Sequence, residues 1–241
     1  MANTKYTFKR YEKKYLLTPE QYAALTSELK KYMRPDKFPS STVCSLYYDT
    51  QDFSLIRESL EKPMYKEKLR VRSYGVPGSE DKVFVEIKKK YDGIVYKRRV
   101  SMPEYQAVNY LDHGIRQAEN DSQIFREIDW LCRSMELTPK VLISCDRLAV
   151  CGIDDPELRM TFDSSVRWRD SELELTRGDY GQELLPDGKI LMEAKIAGAA
   201  PLWLAGLLSR LEIYPTSFSK YGSCYTQMLT EKTWIGVTNC A

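Results

Sequence analysis

Histidine is nearly absent: the chain has one, His113, among 241 residues. It sits in a loop-like Asp-His-Gly, so a zinc site is not expected, and no Ser/His/Asp arrangement is read around it. The six cysteines, Cys44, Cys132, Cys145, Cys151, Cys224 and Cys240, form no CxxC spacing, which removes the common zinc and dithiol patterns. No apolar run reaches the ~20 residues that a membrane-crossing helix needs. The N-terminus, MANTKYTFKRYEKKY, is polar and basic, unlike a secretory leader. Reduced thiols in a cytoplasmic protein are therefore expected. Also missing are a P-loop, a GxGxxG turn and a kinase signature. With no internal repeat or low-complexity linker, residues 1–241 read as one domain, a length that a single barrel can reach. A net charge of +2 and a pI near 8.1 are too mild for bulk binding of nucleic acid, so any anion site has to be local.

What is present is an ordinary globular composition, 43% hydrophobic and 29% charged with 17 tyrosines, and one unusual concentration of charge. Tyr65–Val100 holds eleven Lys and Arg against five Asp and Glu, a net of +6 that leaves −4 for the rest of the chain. It reads as three strands, Tyr65–Tyr74, Val83–Tyr91 and Ile94–Met102. Strand periodicity puts Lys66, Lys68, Arg70 and Arg72 on one face and Leu69 and Val71 on the other. Glu86 and Lys88 oppose Val85 and Ile87 in the second strand; Lys97 and Arg99 share a face in the third. A half-buried meander with its polar face in water is the plain alternative. Like charges ~7 Å apart on one strand, however, repel by about 0.6 kcal/mol in water and about 2.4 kcal/mol at an effective dielectric near 20. A solvated face would mix signs; four cations on one face point to a polyanion lying along them.

Along the chain, Thr7–Leu17 predicts a strand with Arg10, Glu12 and Lys14 opposite Tyr11 and Tyr15. Thr18-Pro19-Glu20-Gln21 opens a helix with Tyr22, Leu25 and Leu29 on its apolar stripe, ending before Pro35. Strands are expected at Thr42–Thr50, Lys140–Val150, Leu158–Asp163 continuing through Val166–Arg169, and Ile190–Ile196. Helices are expected at Asp52–Leu60, from Pro103, at Ile124–Met135, Pro201–Leu211 and Phe218–Leu229, with a loop across His113–Asp121. Strand midpoints are charged on one face and apolar on the other, the reverse of an ordinary barrel. The expectation is an α+β fold: a wide barrel lined with charge and covered outside by helices. Glu12, Glu86 and Glu193, on basic strands, are the acids best placed for a divalent metal, and oxygen ligands suit Mg²⁺ or Mn²⁺.

The ordered motifs RYEKKYLL (Arg10–Leu17), SLYYDT (Ser45–Thr50), KLRVRSYG (Lys68–Gly75), VFVEIKKK (Val83–Lys90), LRMTFD (Leu158–Asp163), LMEAK (Leu191–Lys195) and FSKY (Phe218–Tyr221) resemble the polyphosphate polymerase (VTC, vacuolar transporter chaperone) domain of the CYTH, or triphosphate tunnel metalloenzyme, superfamily. The resemblance implies an eight-stranded antiparallel β-barrel, a tunnel whose basic residues bind a nucleoside triphosphate or polyphosphate. It implies Lys14 as the first-strand tunnel lysine, Arg70 and Arg72 as the RxR phosphate pair, and Lys88 as the lysine of the E-x-K strand. Lys97 and Arg99 match the following basic pair, and Arg147 and Arg159 the arginines of the second half. Glu193 matches the metal ligand for Mn²⁺ or Mg²⁺, and Ser219-Lys220 the closing S-K. Ser217 stands where the eukaryotic domain has a further lysine, and Cys145 where it has a tyrosine. The implied activity is transfer of the ATP γ-phosphoryl onto polyphosphate. Triphosphate hydrolysis and non-catalytic polyphosphate binding remain alternatives on the same fold. No regulatory SPX domain or membrane segment is expected, so product export would need a separate membrane partner.

Overall fold

The computed structural model describes residues 10–92, 94–115 and 122–238, with side chains described for all but residue 10 and residues 232–238. The predicted strand start at Thr7, most of the loop His113–Asp121 and Cys240 lie outside the described residues. The strands are β1 (Arg10–Leu17), β2 (Met33–Asp49), β3 (Tyr65–Tyr74), β4 (Lys82–Tyr91), β5 (Ile94–Pro103), β6 (Thr138–Gly152), β7 (Arg159–Arg169), β8 (Gln182–Glu183), β9 (Ile190–Ala197) and β10 (Pro215–Thr216). The helices are α1 (Pro19–Leu29), α2 (Ser54–Leu60), α3 (Glu104–His113), α4 (Gln123–Met135), α5 (Leu202–Arg210) and α6 (Lys220–Thr238). This is the expected α+β class, ten strands with helices flanking them; β8 and β10, two residues each, are additions to the expected eight. Among the described residues the hydrogen-bonded order of the strands is a path with two ends, β10 and β5, rather than a closed ring.

The chain forms two compact units, and β2, β6 and β7 each give residues to both. The first comprises residues 1–41, 146–166 and 185–218, with strand order β10-β1-β9-β7-β6-β2. Its core joins Leu17, Leu25, Leu29, Met160, Phe162, Met192, Ala194 and Leu204. The helix opening read from Thr18 is present as a capping box. Thr18 Oγ1 accepts from the Gln21 amide at 3.2 Å, and the Gln21 side chain accepts from the Thr18 amide at 3.1 Å; such a cap contributes about 1 kcal/mol. Leu25 is fully buried, which stabilises by about 1.5–3 kcal/mol.

The second unit comprises residues 42–145, 167–184 and 219–241, with β7, β6, β2, β3, β4 and β5 in order and β8 on the outer side of β7. Its core takes the alternate residues of the basic meander, Leu69, Val71, Val83, Val85 and Ile87, and packs them with Leu46 and Tyr48 of β2 and Phe125, Ile128 and Leu131 of α4. Burial of one face fixes the register, because a slip of one residue would turn every cation into the core.

Two expectations differ in extent. β2 begins at Met33, not Thr42. Pro35 and Pro39 lack the amide hydrogens of a central strand, and the segment is largely exposed, Phe38 at 74%. The other is β7, which starts at Arg159 and runs unbroken through both expected segments to Arg169, with Ser165 at φ 45°.

Candidate functional site

In the second unit the pairing register turns the cationic ladder into rows, since residues directly opposite on antiparallel strands share a face. Lys68, Lys88 and Lys97 form one row across β3, β4 and β5; Arg70, Glu86 and Arg99 form the next, and Arg72, Phe84 and Ser101 the one after. Glu86, 1% exposed, is the counter-ion of this face. Its Oε2 accepts from Arg70 Nε at 2.8 Å and lies 2.7 Å from Arg70 Nη2, while Oε1 lies 2.8 Å from Lys97 Nζ and 4.0 Å from Arg99 Nη1. Burial alone would raise its pKa; Arg70, Arg72 and Lys97 outweigh burial and hold the carboxyl at about 2. Lys97 moves the other way from a simple ion-paired lysine: burial, with repulsion from Arg70 and Arg72, overcomes Glu86 and lowers it to about 8. One carboxylate does not neutralise the cations gathered around it.

β2 braces the same arginines. Arg70 Nη1 donates to Tyr47 Oη at 3.0 Å and Arg72 Nε to Ser45 Oγ at 3.2 Å, each from the position directly opposite. Tyr47 stacks on Tyr221 of α6 with centroids 4.7 Å apart. The Tyr221 hydroxyl donates to Asp49 Oδ2 at 2.8 Å, and fully buried Asp49 also accepts the Leu55 and Ile56 amides of α2. Burial pushes the Tyr47 phenol up, but Arg70, Arg72 and Lys68 prevail and bring it down to about 8. Burial also works against the charge on Arg70, and Tyr47 and Glu86 more than compensate, so its pKa is raised. Lys68 Nζ donates to Ser219 Oγ at 3.3 Å; the same oxygen accepts from the Gly222 amide at 3.1 Å, so Ser219 caps the helix that Lys220 begins.

In the first unit a row crosses β1, β9 and β7: Lys14, Glu193 and Thr161. Lys14 Nζ lies 3.3 Å from Glu193 Oε1 and donates to the Phe218 carbonyl at 2.9 Å. Arg147 binds fully buried Asp163 through two parallel bonds, Nε to Oδ1 at 2.6 Å and Nη2 to Oδ2 at 2.7 Å. Arg159 pairs with Asp36 of β2. Burial pushes the Asp36 carboxyl up, and Arg159 and the Lys37 amide outweigh it, leaving the carboxyl below its usual range.

Among the described residues no three His, Cys, Asp or Glu side chains gather as a metal cluster. Of the three acids that the sequence offered, Glu86 is committed to cations and Glu12 is exposed. Glu193 is different: directly opposite it, the buried Thr161 Oγ1 has no hydrogen-bond partner among the described residues. A buried oxygen without a partner costs about 1–3 kcal/mol. One carboxylate beside such an oxygen fits an Mg²⁺ or Mn²⁺ ion held chiefly by phosphate oxygens and water.

Of the residues named from the sequence, Arg70, Arg72, Lys88, Lys97 and Arg99 thus share one face, and Ser219 joins them through Lys68. Lys14 and Glu193 touch. Arg147 and Arg159 are each seated on a carboxylate. Tyr47, Ser45, Asp49, Tyr221 and Thr161 were not foreseen. The available signal was the period-two run Ser45, Tyr47, Asp49, which sets three polar side chains on the face of β2 opposite Leu46 and Tyr48.

Comparison with known proteins follows the same outline. The VTC domain family model matches residues 9–229. No curated protein sequence matches the chain. Among solved structures, a candidate adenylate cyclase from Bacillus halodurans superposes with a TM-score of 0.54 at 15% identity, covering 86% of this chain and 92% of its own. A candidate adenylyl cyclase from Hippeastrum, described as having a dominant triphosphatase activity, gives 0.53 at 14% identity, with 91% and 96% covered. At these identities the likeness is one of fold.

Proposed function

The chain belongs to the VTC domain family, and on that premise we propose that it is a metal-dependent phosphotransferase that moves the γ-phosphoryl group of ATP onto polyphosphate. The observation that carries this reading is the row Lys68–Lys88–Lys97 beside Arg70 and Arg72, with a single buried carboxylate, Glu86, among them. Three lysines directly opposite one another destabilise a sheet and are sensibly retained only where a polyanion meets them.

The chemistry asks for positioning and charge stabilisation more than for a side-chain nucleophile. A terminal phosphate oxygen of the acceptor, already ionised, attacks the γ-phosphorus. The bond from that phosphorus to the β–γ bridging oxygen breaks, and ADP leaves with the electron pair. No general base is needed, so the scarcity of histidine is no obstacle. Arg70 is held by Glu86 and Tyr47, and Arg72 by Ser45, before substrate arrives, so little reorganisation accompanies the reaction. Arg147 and Arg159, oriented by Asp163 and Asp36, are proposed to hold further phosphate oxygens as planar forks. Lys14, Lys88, Lys97 and Lys220 act as point charges, with Arg99 and Ser219 as additional phosphate contacts. Glu193 would hold Mn²⁺ or Mg²⁺, which when bound supplies charge neutralisation on the phosphates. The proposal takes residues 1–241 as one functional domain working in the cytoplasm. No helix among the described residues is long and apolar enough to cross a membrane; a separate membrane protein is proposed as the partner that moves polymer across one.

Hydrolysis of a triphosphate is the second reading, favoured by Ser217 in place of a lysine next to the S-K motif and by the activity attributed to the Hippeastrum protein. Labelled ATP with Mn²⁺, resolved on a gel that separates polyphosphate by length, tests both. A ladder supports polymer formation; ADP and orthophosphate alone support hydrolysis. Tight binding of polyphosphate with no turnover would leave the fold a binding module.

A further inference from the structure

The basic face of β3 does not end at Arg72. Two residues on, at the same ladder pitch of about 7 Å, stands Tyr74, 51% exposed. Its ring meets Phe84 edge-on at 5.9 Å, and the Arg99 guanidinium lies over Phe84 at 4.5 Å. Phe84 is directly opposite Arg72, and Arg99 directly opposite Glu86, so the aromatic pair and its arginine belong to the face that carries Arg70 and Arg72. Ser73 Oγ donates to the Gly75 carbonyl at 2.8 Å and the Gly75 amide to the Thr42 carbonyl at 2.7 Å, which fixes the backbone on both sides of Tyr74.

We propose that Tyr74, held edge-on against Phe84, forms a stacking subsite for the base of a nucleoside triphosphate whose phosphates lie along Arg72, Arg70 and Arg99. The inference rests on the phosphate-binding reading of the ladder and adds the identity of the donor's other end. A linear polyphosphate has no use for an exposed aromatic ring at the end of a cationic row; a nucleotide has a planar π-face next to its phosphates. Aromatic side chains and guanidinium planes recognise that face with little regard to which base it is. The orientation follows: the base sits at the Tyr74 end and the γ-phosphate faces the three-lysine row. A growing chain would then extend toward Lys66 and Lys90, the next pair along the ladder.

The test is calorimetric binding of ATP and of inorganic tripolyphosphate to the full chain in EDTA, which prevents turnover. Tyr74→Ala should weaken ATP about tenfold, the low end of a lost base–aromatic stack, and leave tripolyphosphate within about twofold. Tyr74→Trp should restore ATP binding, and GTP should follow ATP within a few-fold. Loss of both ligands to the same degree in Tyr74→Ala, or no change in either, overturns the base subsite while the phosphate ladder stands. If the unaltered chain binds neither ligand, the ladder reading fails and the subsite fails with it.

Discussion

Replacing Glu86 by Gln separates a structural ion network from a ligand-binding one. The change keeps size and an acceptor oxygen but removes the charge that faces Arg70, Lys97 and Arg99. The carboxylate is 1% exposed and the Arg70 side chain 18%, so the variant leaves a largely buried guanidinium without its counter-ion. Removing one partner of a buried pair costs about 3–5 kcal/mol; Arg70 keeps Tyr47 and the amide oxygen, which places the loss near 3 kcal/mol. For a chain of this size that is a fall in Tm of about 6–12 °C. The pH dependence checks the same quantity. The folded pKa of Glu86 is depressed to about 2, so its stabilisation is present above the ordinary carboxylate range and is lost as pH falls toward 2; the gap between the two proteins should close in that window.

Tripolyphosphate makes the experiment diagnostic. If Arg70 and Lys97 receive phosphate, the carboxylate competes with the ligand. A unit negative charge ~8 Å from a bound phosphate opposes it by about 2 kcal/mol at an effective dielectric near 20. The variant should then bind tripolyphosphate roughly tenfold or more tightly, and at equal ligand concentration the Tm gap should shrink to about 2–4 °C. Differential scanning fluorimetry with and without tripolyphosphate, against sulfate at matched ionic strength, measures this directly. A gap that tripolyphosphate leaves unchanged or widens would refute the reasoning: Glu86 would hold a structural network that no phosphate enters.

Arg72→Ala should lower turnover of the full chain by about 10²-fold or more, the scale of one lost preorganised donor. Its stability should change by no more than about 1 kcal/mol, because Glu86 retains Arg70 and Lys97; unfolding of this variant would make the ladder structural. Lys97 and Tyr47 each titrate near 8 when the face is empty. As pH rises through that value the net charge of the face falls by up to two units, Lys97 losing a positive charge and Tyr47 gaining a negative one. Bound polyphosphate screens Arg70 and Arg72 and raises both pKa values, so binding above pH 8 takes up protons. Affinity should be flat below about pH 7 and fall by up to tenfold per pH unit per group above pH 8, with Lys97→Met reducing the slope; isothermal titration across pH 6.5–9.5 is the measurement. Thr161→Val should raise the Tm of the metal-free protein, because it removes a buried oxygen without a partner, and should reduce the further rise produced by Mn²⁺. An undiminished response to Mn²⁺ would separate Thr161 from the metal.

The elements and the faces of the strands were legible because a strand's period is local: Leu69 and Val71 against Arg70 and Arg72 needs ten residues of sequence and no partner. The partners were not legible. That Glu86 sits under Arg70 and Lys97 depends on the register of β3, β4 and β5, and a one-residue slip would put the apolar Val85 or Ile87 in its place. Tyr47 illustrates the same point: Ser45, Tyr47 and Asp49 announce a polar face on β2, but only the pairing of β2 with β3 shows that the face braces Arg70 and Arg72. Arg147 and Arg159 are named by the family resemblance, and the structure adds that each is oriented by its own carboxylate, Asp163 and Asp36. Such pairing lowers the net charge an arginine offers and fixes its plane. A fork already aimed loses less conformational entropy on meeting phosphate than a flexible lysine does, and a compensated arginine releases its bound anion more readily than a bare one. Under the proposed function, in which a long polyanion is held and still advances, that balance serves better than maximal affinity. The carboxylates among the cations are therefore as informative about function as the cations themselves.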